Sequence, residues 1–62
     1  MNEIQAQQLR NTLALLRETR GVDALHTLGA VAGIPSSRMK QLAAGEGAPP
    51  TTMEYSTIMM LR

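Results

Sequence analysis

The sequence predicts a small all-α protein, a bundle of four to five short helices that forms one domain over residues 1–62. Three observations predict this class. The chain has 62 residues and no cysteine, so neither disulfides nor thiolate-bound zinc can stabilise it. With one Tyr and no Phe or Trp, its core must be aliphatic, which suits closely packed helices. Glycine and proline punctuate the chain at intervals that leave segments of helix length between them.

The first predicted helix covers residues 2–19, which contain no Gly or Pro and are rich in good helix formers. Helical spacing places four apolar side chains on one core-facing stripe: Ala6, Leu9, Leu13 and Leu16. Ile4 and Leu15 fall on a different side of the helix. Two explanations for these apolar residues are open: a position near a helix end, or a second buried contact, most simply with another subunit. Gly21 is placed to end this helix.

Two shorter helices follow. Asp23 is a suitable N-cap for a helix over residues 24–32, which ends at Gly33. A second helix is predicted over residues 36–44 and ends at Gly45.

A glycine- and proline-rich loop over residues 45–50 precedes the last helix, which Thr51 or Thr52 caps and which runs to Leu61. Its apolar residues lie on more than one side, so it needs burial on more than one side. We therefore expect a homodimer, although a longer natural chain that continues beyond Arg62 is an open alternative. The residues expected at the dimer interface are Met53, Ile58, Met59, Met60 and Leu61.

Residues 25–44 have the spacing of a helix-turn-helix, in which two short helices are joined by a tight turn. Leu28 and Met39 are expected between the helices. Gly29 stands where the helices approach most closely and where only Gly or Ala fits. Gly33 supplies a positive φ in the turn, and Ile34 fills its inner side.

Residues 28–45, LGAVAGIPSSRMKQLAAG, resemble the pattern Leu-Ala-x-x-x-Gly-Val-Ser-x-x-x-Ile-Ser-x-x-x-x-Gly of the Cro and phage-repressor (XRE) type of helix-turn-helix regulators. The resemblance covers roughly residues 22–61 and implies a lambda-repressor-like fold. Gly29 departs from the usual Ala, and Pro35 stands where a capping Ser is common.

The resemblance implies a DNA-binding transcriptional regulator, a phage or plasmid repressor that acts as a homodimer on double-stranded DNA. The helix at 36–44 would lie in the major groove. The residues expected to contact DNA are Ser36, Ser37, Arg38, Lys40, Gln41 and, through a phosphate, Thr27. Although the formal net charge is only +1, Ile34 to Leu42 carry two positive charges and no negative one.

Other functional classes find little support in the sequence. With no cysteine and one histidine there is no metal-ligand set, and no carboxylates are paired by a recognisable catalytic motif, so we expect neither an enzyme nor a cofactor. Neither a membrane span nor a secretory signal is predicted, and we expect a cytoplasmic protein without a small-molecule substrate. The alternative function is a helical protein-interaction module that binds another regulator or a toxin through its apolar C-terminal helix.

Overall fold

The structure, a computed structural model, describes residues 2–61, and this part of the chain is all-helical. Four helices follow one another: α1 (Glu3–Arg20), α2 (Val22–Ala32), α3 (Ser36–Ala44) and α4 (Thr52–Leu61). The predicted all-α class is confirmed. The described residues form four helices, the lower of the two predicted numbers. Each predicted helix exists, with bounds that differ by at most two residues.

Helix α1 begins at Glu3, one residue later than predicted, and ends before Gly21 as the sequence predicts. Asn2 is the N-cap, because its side-chain Oδ1 accepts a hydrogen bond of 2.8 Å from the Gln5 amide, and the Gln5 side chain reaches back to the Asn2 amide. This reciprocal capping box satisfies two amides that have no partner inside the helix. Gly21 ends α1 with a positive φ of 88°, and its amide donates to the Arg17 carbonyl.

Asp23 does not cap α2, contrary to the prediction. Gly21 is the one residue between α1 and α2, so α2 already begins at Val22 and Asp23 lies within its first turn. The positive φ of Gly21 reverses the chain in a single residue and leaves no room for a separate capping residue. The carboxylate of Asp23 still lies near the positive end of the α2 dipole, where a negative charge is favourable.

All four helices contribute to one core. Helix α1 packs against each of the other three helices, and α2 also packs against α3 and α4. No α-carbon of α3 comes within 8 Å of an α-carbon of α4. Leu16, Leu28 and Ile34 are half-buried and pack around the centre of the core. The residues that are almost fully buried are Leu9, Leu13, Leu25, Met39, Leu42, Ala43 and Ile58.

Gly29 of α2 lies so close to the Met39 side chain of α3 and to the Ile34 carbonyl of the turn that no side chain fits there. A Cβ on Gly29 would lie 2.5 Å from Met39 Cγ and 2.9 Å from the Ile34 carbonyl oxygen. The sequence predicted that either Gly or Ala would fit, but these distances admit Gly alone. The Ile34 amide donates a 2.7 Å hydrogen bond to the Gly29 carbonyl, which fixes the turn between the two helices.

We expect Gly29→Ala to lower the free energy of unfolding by about 1–3 kcal/mol, because the new methyl group forces Met39 and the turn to move. This loss outweighs the ~1 kcal/mol by which Ala is the better helix former. Urea unfolding followed by circular dichroism measures the change. At the exposed neighbour Ala30, the matched substitution Ala30→Gly should show the ordinary preference for Ala. A stabilised Gly29→Ala protein would contradict the close approach.

Candidate nucleic-acid interface

The exposed side of α3 gathers four of the six residues predicted to contact DNA. Met39, Leu42 and Ala43 face the core, so the residues between them on the helix face away from it. This outward face carries no acidic side chain. Its exposed residues are Ser36, Ser37, Lys40, Gln41 and Ala44.

The N-terminus of α3 is open on this same surface. A three-residue turn leads into it, and Gly33 begins that turn in the left-handed region with φ 76°, as the sequence predicted. Pro35 is the N-cap, and no side chain makes a capping hydrogen bond there. The first amides of α3 therefore stand at the positive end of the helix dipole without a side-chain acceptor, an arrangement suited to a phosphate or a base edge.

Arg38 has a different role in the structure from the predicted one. Its guanidinium forms a two-pronged ion pair with Glu54 of α4, with Nε donating to Oε2 at 2.8 Å and an Nη donating to Oε1 at 2.9 Å. The remaining donors bind the carbonyl oxygens of Ala48 at 2.9 Å and Pro49 at 3.1 Å. The side chain is 17% exposed, so Arg38 joins α3 to the loop and to α4 instead of facing outward.

The ion pair shifts the pKa of both partners. The hydrogen bonds from Arg38 lower the pKa of Glu54 from its ordinary 4.5 to about 2, against the opposing effect of burial. The hydrogen bond to Glu54 correspondingly raises the pKa of Arg38. Both groups are charged at neutral pH and neutralise each other. Of the two positive charges predicted for Ile34 to Leu42, that of Arg38 is therefore neutralised, and that of Lys40 remains on the outward face of α3.

Glu54 also caps α4, a role that the sequence interpretation missed. The Thr51 amide donates to Glu54 Oε1 at 2.9 Å, and the Glu54 amide donates to Thr51 Oγ1 at 3.1 Å. This is a capping box, which decides the predicted choice between Thr51 and Thr52 in favour of Thr51. The spacing Thr51-x-x-Glu54 before an apolar segment is the sequence signal that could have identified it.

Thr27 lies apart from the α3 surface. Its hydroxyl donates a 2.9 Å hydrogen bond to the Asp23 carbonyl within α2. Its side chain lines an apolar groove together with Leu28 and Val31, and no residue of α3 lines that groove. The structure therefore does not bring Thr27 together with the other predicted DNA contacts.

Two arginines of α1 border the α3 surface. The Arg10 side chain lies against the C-cap of α3, with Nε 3.0 Å from the position that a Cβ on Gly45 would take. Arg17 shares a shallow surface depression with Ala43 of α3. Both arginines are exposed, and with Lys40 they place three positive charges on and beside α3, while Glu18 lines the same depression as Arg17 and Glu46 lines a cavity together with Arg10. Such positive charges suit contacts with a phosphate backbone on either side of a groove.

The residues expected at a dimer interface have unequal positions on α4. Met53 is 78% exposed and Met60 is 83% exposed, while Leu61 is 42% exposed. Met59 is half-buried against the core. Ile58 is completely buried in the core of its own chain, so its side chain is not accessible to a second copy. The reason is that Ile58 is the residue through which α4 fills the space between α1 and α2.

Comparisons with protein-family models, curated proteins and solved structures found no match to this chain. Over residues 2–61 no group of three or more His, Cys, Asp or Glu side chains is arranged to hold a metal ion. No helix in that range combines the length and the apolar character required to cross a bilayer.

We expect Glu54→Gln to lower the free energy of unfolding at pH 7 by about 1–2 kcal/mol, because the charged hydrogen bonds from Arg38 are lost. The unfolded protein takes up this proton near pH 4.5, whereas the folded protein holds it off until about pH 2. The stabilisation is therefore complete above pH 4.5 and disappears as the pH falls to about 2.

Urea unfolding at a series of pH values measures this contribution. The wild-type protein should lose more stability than Glu54→Gln between pH 4.5 and pH 2. Glu46→Gln is the matched control, since Glu46 is exposed and forms no ion pair in the described part of the chain. Identical pH profiles for Glu54→Gln and the wild type would contradict the assigned role.

Proposed function

We propose that this chain is a sequence-specific DNA-binding transcriptional regulator that reads the major groove with α3 of a helix-turn-helix. The observation that carries the proposal is the outward face of α3, which is polar, free of acidic side chains and continuous with an open helix N-terminus. A helix of this kind, held at its first turn by a tight link to the preceding helix, fits a major groove about 12 Å wide.

The side chains on α3 have the chemistry that base reading requires. Gln41 can form paired hydrogen bonds with adenine, and Lys40 can donate to the O6 and N7 atoms of guanine. Ser36 and Ser37 lie in the first turn, where their hydroxyls and the adjacent amides can bind a phosphate or a base edge. The resemblance to the Cro and phage-repressor family supports the same assignment, with α2, residues 33–35 and α3 as the helix-turn-helix.

Arg38 is not among the proposed DNA contacts, because its guanidinium binds groups of the same chain. By binding Glu54 and two loop carbonyls it ties α3, which packs on α1 and α2, to the loop and to α4. Lys40 and the flanking Arg10 and Arg17 then supply the charges for the phosphate backbone. Because this is a small number of charges, we propose that a homodimer binds two half-sites about one helical turn apart. Repression follows where such a site overlaps a promoter, in the setting of a phage or plasmid.

The second candidate function is a helical protein-interaction module. The neutralisation of Arg38 by Glu54 favours it, because Lys40 is then the single charged side chain on the outward face of α3. A module of this class would bind its partner with little dependence on salt, whereas a DNA-binding protein loses affinity steeply as salt rises.

We expect Lys40→Ala to weaken binding to random-sequence duplex DNA and to reduce the slope of log affinity against log salt by about one, because one phosphate or base contact is lost. The free energy of unfolding should stay within about 0.5 kcal/mol of the wild type, since Lys40 is exposed. Fluorescence anisotropy at a series of salt concentrations measures the first quantity. Lys40→Arg keeps the charge and should keep the slope.

Selection of bound sequences from a random DNA pool tests the sequence-specific part. The expected result is a two-fold symmetric consensus, at which Gln41→Ala reduces discrimination at one position of each half-site by about 1–3 kcal/mol. If the wild-type protein binds no duplex at low salt, or if Lys40→Ala leaves binding unchanged, the DNA-binding proposal is wrong and the interaction module gains support.

A further inference from the structure

An open apolar groove runs along the side of the molecule where α1 and α2 meet. Its volume is about 510 Å³, and Leu61 of α4 closes one end. Leu15 and Val31 stand on its rim and are 60% and 66% exposed. No residue of α3 lines the groove, so it is separate from the surface proposed to bind DNA.

The walls of the groove have the pattern of two helix faces without a partner. Leu15 and Leu16 line it from α1, and Ala24, Leu28 and Val31 line it from α2. The α2 positions follow the i, i+4, i+7 spacing by which a helix presents one face to another helix. In the part of the chain that the structure describes, Ala24 is the one small apolar residue that lines the groove. Arg20 is the one charged residue among the described residues that line it.

The same chain also carries an apolar helix face that nothing in the described residues covers. Met53 and Met60 lie on the outer side of α4 and are 78% and 83% exposed. They are two helical turns apart, so they form one stripe, here called the methionine stripe. The spacing from Met53 to Met60 is seven residues, or about 10 Å along the helix, and Ala24 and Val31 in the groove are separated by the same distance.

We propose that the groove is the docking site for the methionine stripe of a second copy of this chain, in a reciprocal two-fold dimer. The α4 helix of one protomer lies in the groove of its partner, and the partner's α4 does the same in return. Three observations favour a second copy as the occupant. The groove and the stripe are both apolar, they agree in length, and they adjoin each other at the end of α4, where Leu61 lines the groove and Met60 is exposed.

Reciprocal docking doubles the area that a single stripe in a single groove would bury. A stable interface buries about 800 Å² on each partner. This is about a fifth of the 4110 Å² accessible surface of the described chain. Each protomer contributes both its groove and its methionine stripe, so every contact is made twice about the two-fold axis. Flexible methionine side chains are well suited to filling such a groove.

This dimer deepens the proposed function, because it specifies the pairing that two DNA half-sites would require, and it rests on that proposal for its biological role. Compared with the dimer interface predicted from the sequence, this interface excludes Ile58, which is buried, and includes the α1 and α2 residues that line the groove. The outward face of α3 stays exposed in the dimer, since no α3 residue belongs to either docking surface.

Sedimentation equilibrium of the full chain without DNA tests the dimer. We expect a wild-type dimer at micromolar concentration. Val31→Lys in the groove and Met60→Glu in the stripe should each raise the dimer dissociation constant by tenfold or more, on the order expected for an unpaired charge placed in an apolar contact. Ile4→Glu is the matched control: Ile4 is 70% exposed on α1 and lies outside both surfaces, so this variant should dimerise normally.

An equimolar mixture of Val31→Lys and Met60→Glu provides the decisive measurement. In the mixed dimer, one groove and one stripe are both unaltered, and the second contact pairs Lys with Glu. Dimer should therefore reappear in the mixture at a protein concentration at which each variant alone is mostly monomeric. A mixture that stays monomeric, variants that dimerise as the wild type does, or an equal loss in Ile4→Glu would overturn the proposal.

A wild-type protein that is monomeric at millimolar concentration would also overturn it. That result removes the homodimer from the proposed function and leaves the DNA contacts of α3 to be tested separately, because the salt dependence of binding to random duplex DNA and its change in Lys40→Ala are measured on monomer as well. Conversely, a dimer that binds no DNA would overturn the DNA-binding proposal and would not affect the proposed dimer.

Discussion

The connection between α3 and α4 depends on the ion pair between Arg38 and Glu54. Helices α3 and α4 have no close backbone contact, and the loop between them contains two glycines and two prolines, so no regular backbone hydrogen bonding joins the two helices there. A single guanidinium bridges this gap by donating to Glu54 and to the carbonyls of Ala48 and Pro49. Because both charges are mostly shielded from solvent, their hydrogen bonds are stronger than those of an exposed surface pair. The loop and both helix ends therefore form one unit.

The aliphatic core explains why such a polar link is needed. Seven aliphatic side chains are almost fully buried, no disulfide adds to them, and the one aromatic ring, Tyr55, packs against them half-buried. In a domain of this size the surplus of burial over chain entropy is small. Local devices that fix the ends of helices are correspondingly important, and the capping boxes at Asn2 and at Thr51 together with the left-handed Gly33 supply them.

The helices could be predicted because their signals are local. Gly33 and Gly45 end α2 and α3 where the sequence indicates, and both adopt the left-handed conformation that glycine favours. The role of Arg38 could not be predicted in the same way, because its partner Glu54 lies 16 residues away in the sequence. The pattern of a single helix shows that Arg38 is charged, but it does not show which residue of another helix will pair with it. The fit at Gly29 depends on its distances to the side chain and the carbonyl packed against it, which no sequence pattern contains. The capping role of Glu54, in contrast, is a local signal, because its spacing from Thr51 is that of a capping box.

The outward face of α3 takes no part in the side-chain hydrogen bonds that hold the fold together, and its contact with the loop is that of the Gln41 carboxamide with Gly47. Ser36, Ser37, Lys40 and Gln41 are exposed, and within residues 2–61 their side chains make no hydrogen bond to the rest of the protein. The scaffold below them is fixed instead by Met39, Leu42 and Arg38. Substitutions at these four positions can therefore accumulate without loss of the fold, which makes α3 a surface on which new binding preferences can evolve or be selected from a randomised library.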